Sequence, residues 1–334
     1  MRTDNWTTEN IPDQTGKIVL ITGASSGLGK EATKVLAIKN ASIIMAVRNT
    51  TKANAVATEI KNEFPNVKID VRSLDLTDLQ SIKSFATAFE KDYTNLHILI
   101  NNAGIMMCPF SKTKDGFEIQ MGTNHLGHFA LTGLLMPLLL STNHSRVVIT
   151  SSIAHKSGDI NFDDLNWEKR KYKTTNAYSD SKIANLYFLY ELVRKFKDNE
   201  NAPIFTASHP GWTKTELDRH SGLASFLGNI VAQTVQMGTL PTLRAATDKS
   251  VKSGNYYGPT KLMQMRGFPE LVQSNKLSHE IEKAKKLWDL SEQLTKIRYE
   301  IHNKTECLNF ITLKPFRRFI QYLDWKNLYI HLLH

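Results

Sequence analysis

The stretch TGASSGLG, residues 22–29, decides how this chain folds, because its glycines stand between a short apolar run and a helical pattern. The run is KIVLIT (Lys17 to Thr22), and the helical pattern covers Lys30 to Asn40. Glycine lets a backbone turn tightly and approach a ligand closely. The N-terminus of a helix offers unpaired N–H groups and a positive dipole. A strand, a glycine turn and a helix in this order are typical of a turn that holds a pyrophosphate.

The same alternation of β-branched runs and longer helical patterns continues outward from the turn, which is the signature of βαβ units and a parallel sheet. Five further runs predict strands, and they are ASIIMAV (Ala41 to Val47), VKIDVRSL (Val67 to Leu74), LHILIN (Leu96 to Asn101), RVVITS (Arg146 to Ser151) and PIFTAS (Pro203 to Ser208). With the first run they predict an α/β fold with a Rossmann-type, doubly wound parallel sheet. Ligands of such sheets bind beyond the carboxyl ends of the strands, so we look for the site there.

The pattern divides the 334 residues into three parts. Residues 1–15 form an N-terminal extension without an apolar run that could serve as a signal peptide or membrane span. Residues 16–300 carry the βα pattern and predict a single domain. Residues 301–334 form a basic, aromatic tail. A helix beginning at Pro315 could lie on an anionic membrane surface or dock on another copy of the chain, and a frayed or self-packed extension is the alternative.

Composition narrows the class of protein. The chain is 41% hydrophobic and 22% charged, as is usual for a globular protein. Its formal net charge is +10, but much of the lysine and arginine lies beside acidic residues, which indicates a solvated basic surface. No zinc finger or arginine-rich tract points to nucleic acid. The two cysteines cannot form a disulfide framework, so we expect a reducing, cytoplasmic location, with peripheral membrane contact through the tail left open.

Two histidines on a predicted helix raise the question of a metal site. His125 and His128 lie three residues apart, as some metal ligands do. No third ligand is evident in the sequence, so we interpret both as core or surface residues and predict no metal site.

Arg48 directly follows the second predicted strand. Sheets that bind NAD usually carry a carboxylate there, which bonds the ribose and repels a 2′-phosphate. A guanidinium instead pairs with a phosphate through charge-assisted, bidentate hydrogen bonds. Arg48 therefore favours NADP(H) over NAD(H). Because Ser25 and Ser26 add no second positive charge, we expect a moderate preference, and a solvated arginine is the alternative reading.

Tyr178 and Lys182 begin a helical pattern that continues to about Phe196. Their spacing of four places both side chains on one helix face. A free phenol has a pKa of about 10, and a nearby ammonium favours the phenolate and makes the phenol a better acid. The pair thus predicts a proton donor, although such pairs also occur on ordinary helix surfaces.

Several of these motifs resemble the short-chain dehydrogenase/reductase family. They are the spacing Gly23-x-x-x-Gly27-x-Gly29 after Thr22, the segment NNAG (101–104) and the Tyr178-x-x-x-Lys182 pair. Between about residues 16 and 300 the chain is similar to the retinol dehydrogenase branch, in stretches such as TNHLGHF, SSIAH, AYSDSKIANLYF and HPGWTKTELDRHSG.

The resemblance implies a role for each matching residue. Its catalytic set is Asn124 as the structural amide, Ser152 as the group that orients a carbonyl, Tyr178 as the acid and base, and Lys182 as the partner of Tyr178. Ser152 is preferred to Ser151 because it is the second serine of the pair. The implied cofactor contacts are Gly23, Ser25, Ser26, Gly27, Leu28, Gly29, Arg48, Asp75, Leu76, Asn102, Ala103, Gly104, Tyr178, Lys182, Pro210, Gly211, Thr213 and Thr215.

The expected activity is NADP(H)-dependent interconversion of a hydrophobic aldehyde or ketone and its alcohol, with retinal one candidate. The segment Glu216 to Val235 could cover an apolar substrate or be the buried face of an amphipathic helix. Two other classes of function stay open. The first is a catalytically silent NADP(H)-binding interaction protein, against which the complete catalytic set argues. The second is a membrane-associated or oligomerising module that acts through the tail.

Overall fold

The structure is a computed structural model that describes residues 5–213 and 232–300. Its strands are β1 (Ile18–Thr22), β2 (Ser42–Val47), β3 (Lys68–Ser73), β4 (Ile98–Asn101), β5 (Arg146–Thr150), β6 (Ile204–Ser208), β7 (Tyr256–Lys261) and β8 (Arg266–Leu271). They form one sheet in the order β3-β2-β1-β4-β5-β6-β7-β8, in which only β7 and β8 pair antiparallel. The order reverses between β1 and β4, and such a switch point is where doubly wound sheets bind ligands. The predicted α/β fold class is confirmed.

The helices are α1 (Gly27–Ile38), α2 (Thr50–Glu63), α3 (Leu79–Asp92), α4 (Ile119–Met121), α5 (Gly127–Ser141), α6 (Thr174–Lys195), α7 (Val235–Thr247) and α8 (Ile281–Thr295). Side chains cap several of them; for example, Asn49 accepts the Lys52 amide before α2 and Asp78 accepts the Ser81 amide before α3. Helix α1 begins three residues earlier than Lys30, the predicted start. The last two glycines of the motif are thus the first turn of a helix.

Because successive side chains of a strand point to opposite faces, the apolar residues of the strands form a core on each face of the sheet. Leu20 of β1 packs with Phe85 of α3 and Phe129 of α5 on one face. Its neighbours Val19 and Ile21 pack with α1, α2 and α7 on the other. Because helices cover both faces, the polar edge at the carboxyl ends of the strands is left for a ligand.

Two strands, β7 and β8, were absent from the prediction. Their sequences, YYGPTK and RGFPEL, contain glycine and proline, which read as turns in a sequence pattern. The structure places Pro259 opposite Pro269 in an antiparallel pair at the edge of the sheet, with an irregular register nearby. Pro269 lies on β8, the edge strand, which lacks a second partner, and Pro259 lies on β7 beyond Tyr256 and Tyr257, the residues that pair with β6.

Part of the predicted organisation falls outside the described residues. The tail 301–334, including Pro315, lies there, and so do Thr215 and most of the segment Glu216 to Val235. The domain bounds at 16 and 300 therefore stay predictions. Across residues 5–213 and 232–300, none of the helices is both long enough and apolar enough to cross a membrane.

Candidate active site

The turn after β1 leaves little room for side chains at two of its glycines. Gly23 has a φ of +67°, and a Cβ there would lie 2.9 Å from the Cα of Ala103. A Cβ on Gly29 would overlap the carbonyl oxygen of Gly23. The turn thus packs its backbone directly against the loop that follows β4.

The first turn of α1 opens from this glycine turn. Ser26 is its N-cap residue, yet its side chain makes no capping hydrogen bond, and the first turn contains no acidic residue. The first N–H groups of a helix have no partner within the helix, and they carry its positive dipole. Ser25, Ser26, Gly27 and Leu28 are half-buried, so this end of α1 is accessible to a ligand. Its backbone donors fit a pyrophosphate.

Thr22 joins the ends of β1 and β4. Its Oγ1 accepts the backbone N–H groups of Asn102 and Ala103, both at 2.9 Å. The Asn102 side chain donates in return to the Thr22 carbonyl at 2.8 Å. These bonds place the predicted cofactor residues Asn102 and Ala103 beside Gly23. Thr22 itself was not among the predicted site residues.

Asn124 lies where the sequence predicted, in the helical region before β5, within a π-helical segment (Gly122–Leu126) that leads into α5. Its Oδ1 accepts the Ile105 amide at 2.8 Å, and its Nδ2 donates to the Ile105 carbonyl and to Ser181 Oγ, both at 2.9 Å. The Asn124 amide therefore ties the loop after β4 to α6.

Gly104 marks the point where the loop after β4 meets α6. A Cβ on this residue would lie 3.1 Å from Asn124 Oδ1 and 3.5 Å from Lys182 Nζ. The predicted cofactor loop and the predicted catalytic residues are thus neighbours in space, although 78 residues separate Gly104 from Lys182 in the sequence.

Tyr178 and Lys182 lie on the first turns of α6, and both are buried, with 8% and 4% of their surface exposed. Lys182 Nζ lies 5.6 Å from the centroid of the Tyr178 ring and donates to the Thr150 carbonyl at 3.4 Å. Burial lowers the pKa of Lys182 from 10.5 to about 8. The arrangement holds a cation close to a phenol, which favours the phenolate over the phenol.

The two serines after β5 differ in what their hydroxyls do. Ser151 is buried, and its Oγ donates to the Lys182 carbonyl at 2.9 Å. Ser152 is half-buried, and its Oγ accepts the Ala154 amide at 3.2 Å at the start of a 3₁₀ turn (Ile153–Ser157). The proton of Ser151 is committed to the backbone, whereas Ser152 uses a lone pair and keeps its O–H for another acceptor.

Other predicted contacts lie at the same edge of the sheet. Arg48 is exposed immediately after β2. Asp75 follows β3, where its carboxylate accepts the amide of Thr77 at 2.9 Å and its hydroxyl at 2.7 Å. Leu76 is buried. These positions agree with the sequence prediction, while the contacts of Arg48 and Asp75 with a ligand stay predictions.

Hydrogen bonds from two side chains stabilise the turn after β6. The Pro210 carbonyl accepts hydrogen bonds from Thr213 Oγ1 at 2.8 Å and from the side-chain Nε2 of Gln233 at 2.6 Å. Gly211 has a φ of +65°, and a side chain there would meet the Met265 carbonyl. The turn is thereby packed against the hairpin of β7 and β8, which the sequence had not revealed.

The sequence between Ser152 and Tyr178 supplies further contacts that sequence reasoning missed. Tyr172 donates to buried Glu118 at 2.7 Å, and the Arg170 guanidinium lies 3.5 Å from the Trp167 ring centroid. Arg170 also approaches Asp180 at 3.7 Å, and burial raises the pKa of Asp180 to about 6. The sequence offered one signal for these contacts, which was the position of Asp180, a carboxylate between Tyr178 and Lys182.

His125 and His128 are both buried, and burial lowers their pKa values to about 3 and about 4. In the part of the chain that the structure describes, no three His, Cys, Asp or Glu side chains are grouped to hold a metal ion. Both rings are buried in the core, and His128 Nε2 lies 2.9 Å from Thr22 Oγ1.

Comparison with known proteins gives consistent likenesses. The family model for short chain dehydrogenase matches residues 17–223, which include both the glycine turn and the start of α6. The chain is 41% identical to retinol dehydrogenase 12 of Homo sapiens over 290 residues, covering 85% of this chain and 88% of that protein. An uncharacterized protein from Mycobacterium paratuberculosis has a solved structure similar to this one, with a TM-score of 0.76, 40% identity and coverage of 89% and 99%. A short chain dehydrogenase from Shigella flexneri, crystallised with NADP, gives a TM-score of 0.59, 25% identity and coverage of 73% and 97%.

Proposed function

The chain belongs to the short-chain dehydrogenase/reductase family, in its retinol dehydrogenase-like branch, and we propose that it reduces hydrophobic aldehydes or ketones with NADPH, or runs the reverse reaction. Members of this family are NAD(P)-dependent oxidoreductases that act on CH–OH groups. The observation that carries the proposal is the Lys182 ammonium, buried 5.6 Å from the Tyr178 ring and next to Gly104 of the cofactor loop.

In the proposed reaction the side chains of this chain supply the proton and orient the carbonyl, and the cofactor supplies the hydride. When bound, the reduced nicotinamide supplies hydride to the carbonyl carbon. Tyr178 donates its phenolic proton to the carbonyl oxygen as negative charge develops there. The Lys182 ammonium stabilises the phenolate that remains, and low polarity around the buried pair strengthens this attraction.

Ser152 is the residue proposed to orient the carbonyl. A hydroxyl that keeps its proton can donate to a developing oxyanion, and Ser152 meets this condition. Ser151 does not, because its hydroxyl donates to the Lys182 carbonyl. Ser151 instead helps to hold α6 against β5.

The proposed cofactor preference rests on charge at the end of β2. The glycine turn and the unpaired N–H groups of α1 suit the pyrophosphate of either dinucleotide. Arg48 is exposed where the adenosine ribose of a dinucleotide lies in such folds, and its guanidinium suits a 2′-phosphate. The similar Shigella flexneri structure contains NADP, which supports the same choice.

An apolar substrate is proposed from the loop that follows Gly104. Ile105, Met106 and Met107 are half-buried there, and Phe110 is 45% exposed. Apolar side chains beside a polar catalytic group are the usual lining of a small-molecule site. The name of the relative, retinol dehydrogenase 12, is consistent with a long apolar alcohol or aldehyde.

The experiment is to follow oxidation of NADPH and of NADH with a panel of carbonyls: retinal, medium-chain aldehydes and steroid ketones. We expect reduction of one or more hydrophobic members, with higher kcat/KM for NADPH. Binding of NADPH, measured by fluorescence titration, without reduction of any carbonyl would replace the proposal with a catalytically silent NADP(H)-binding protein.

A further inference from the structure

His128 bridges the two halves of the candidate site. Its Nε2 lies 2.9 Å from Thr22 Oγ1, at the end of β1. Its Nδ1 lies 3.1 Å from the backbone carbonyl oxygen of Asn124, in the π-helical segment. Thr22 in turn receives the amides of Asn102 and Ala103. The His128 imidazole thus lies between Thr22, which supports the cofactor loop, and Asn124, which ties this loop to α6.

The partners of the ring determine where its protons lie. A carbonyl oxygen only accepts, so Nδ1 must carry a hydrogen and donate to Asn124. The Thr22 oxygen accepts the amides of Asn102 and Ala103, of which the Asn102 amide also contacts the Ile100 carbonyl at 3.0 Å. A neutral imidazole carries one N–H, so with hydrogen on Nδ1 the Nε2 atom accepts the Thr22 hydroxyl proton. A second acceptor for that proton, the Ile100 carbonyl, is farther away at 3.4 Å.

The surroundings of the ring agree with this neutral form. Thr22 and Asn124 are fully buried, and His128 is 2% exposed. Burial lowers the pKa of His128 to about 4, so the ring is uncharged near neutral pH. In a doubly protonated ring, the Nε2 N–H would compete with the amides of Asn102 and Ala103 for the Thr22 oxygen. The chain of hydrogen bonds is thus complete only with hydrogen on Nδ1 alone.

We propose that His128 is a positioning residue that couples the two halves of the site through its two ring nitrogens. Nε2 holds the Thr22 hydroxyl in the orientation that receives the amides of the cofactor loop. Nδ1 holds the Asn124 backbone, and with it the amide side chain that contacts Ile105 and Ser181. The kinetic part of this inference rests on the proposed function, whereas the structural part does not.

Two substitutions test the hydrogen bonds of the two ring nitrogens one at a time. In His128→Asn the side-chain NH₂ occupies the region of Nδ1, so the bond to Asn124 is kept and the contact with Thr22 is lost. In His128→Gln the side-chain oxygen reaches the region of Nε2, so it can accept from Thr22 and the bond to Asn124 is lost. Each variant therefore cuts one connection and keeps the other.

The test uses the full chain and combines NADPH titration, steady-state kinetics at saturating NADPH and amide hydrogen exchange. For His128→Asn we expect a Kd for NADPH about tenfold higher, the scale of one buried hydrogen bond, with faster exchange at Asn102 and Ala103. For His128→Gln we expect kcat lower by about the same factor, faster exchange in residues 122–129, and a Kd close to that of the wild type.

The alternative outcome is that the two variants change Kd, kcat and exchange equally, in proportion to their loss of thermal stability. That result would show that His128 is only a packed core residue and would overturn the proposal. Thr22→Val and Thr22→Ser provide a second measurement if either histidine variant fails to fold. Thr22→Val should raise the Kd as His128→Asn does, and Thr22→Ser, which keeps the hydroxyl, should restore it. No difference between these two would also overturn the proposal. The exchange data decide the matter even if no carbonyl is reduced, so failure of the proposed function is distinguishable.

Discussion

The glycine turn after β1 and the start of α6 face the same edge of the sheet but are built in opposite ways. At the turn, Gly23 and Gly29 contribute by having no side chain, and backbone donors are left for a ligand. At α6, Tyr178 and Lys182 are large side chains that the fold has buried. The turn should therefore fail when atoms are added, and the helix when functional groups are removed. Substitutions of each kind test this difference.

A large effect on kcat is expected at the serine pair. Ser152→Ala removes the O–H proposed to contact the carbonyl oxygen, so kcat should fall about 10²- to 10³-fold, with NADPH affinity nearly unchanged. Ser151→Ala is the matched control, because its hydroxyl donates to the backbone of α6. It should cost stability more than turnover. Steady-state kinetics and thermal melting of both variants decide, and a greater loss of kcat in Ser151→Ala would reverse the assignment.

Removal of the buried charge at Lys182 should stabilise the cofactor-free protein while it abolishes efficient turnover. Burial lowers the pKa of Lys182 from 10.5 to about 8, which corresponds to about 3 kcal/mol of destabilisation at pH 7. Lys182→Met removes this cost, and the Thr150 carbonyl keeps Asn185 as a donor.

The sign of the pH dependence follows from the lowered pKa. Between pH 8 and 10.5 the unfolded chain binds more protons at Lys182 than the folded chain, so the wild type gains stability relative to Lys182→Met as the pH rises. Denaturant unfolding at pH 7 and at pH 10 measures this. An advantage of Lys182→Met that stays constant across this range would contradict the burial argument.

A smaller effect is expected at Arg48, which lies on the surface. Arg48→Asp removes the proposed phosphate contact and adds repulsion, so the Kd for NADPH should rise about 10- to 100-fold, or about 1.5–3 kcal/mol. The Kd for NADH should change little, because NADH lacks the 2′-phosphate. Fluorescence titration with both dinucleotides is the measurement, and equal changes for the two would refute the role of Arg48.

The smallest expected effect comes from adding a single methyl group at the turn. Gly23→Ala and Gly16→Ala both place alanine at a positive φ, +67° and +78°, which costs about 1–2 kcal/mol of stability. Only at Gly23 does the added carbon meet Ala103, since Gly16 has open space around it. We expect similar losses from backbone strain but weaker NADPH binding in Gly23→Ala alone. Equal NADPH affinities would show that the turn adapts to a side chain.

Much of the fold could be predicted because the buried parallel strands are continuous apolar runs. All six predicted strands are present, and their ends lie within two residues of the predicted bounds. The strands β7 and β8 could not be found in this way, because Pro259 and Pro269 are compatible with a strand only where it lacks a pairing partner on one side. Which strand forms the edge depends on the tertiary fold.

The candidate site was predictable where its residues are close in sequence, as in the glycine turn and the Tyr178–Lys182 pair. Contacts between distant segments were not. Ser151 and Ser152 are distinguished by their burial and their hydrogen bonds in the fold, and the link from His128 to Thr22 spans 106 residues. From the sequence, His128 could be assigned only to the core or the surface, because its partners come from another part of the chain.

The most direct test of the proposed reduction by NADPH is to follow the hydride from the nicotinamide to the product. The full chain is incubated with NADPH that carries deuterium at the transferred position of the nicotinamide, together with a carbonyl that the panel shows to be accepted. We expect the wild type to form an alcohol with deuterium on the former carbonyl carbon. With Tyr178→Phe, formation should be about 10²- to 10⁴-fold slower at unchanged NADPH affinity. Unlabelled alcohol, or near-native turnover by Tyr178→Phe, would contradict the proposed mechanism.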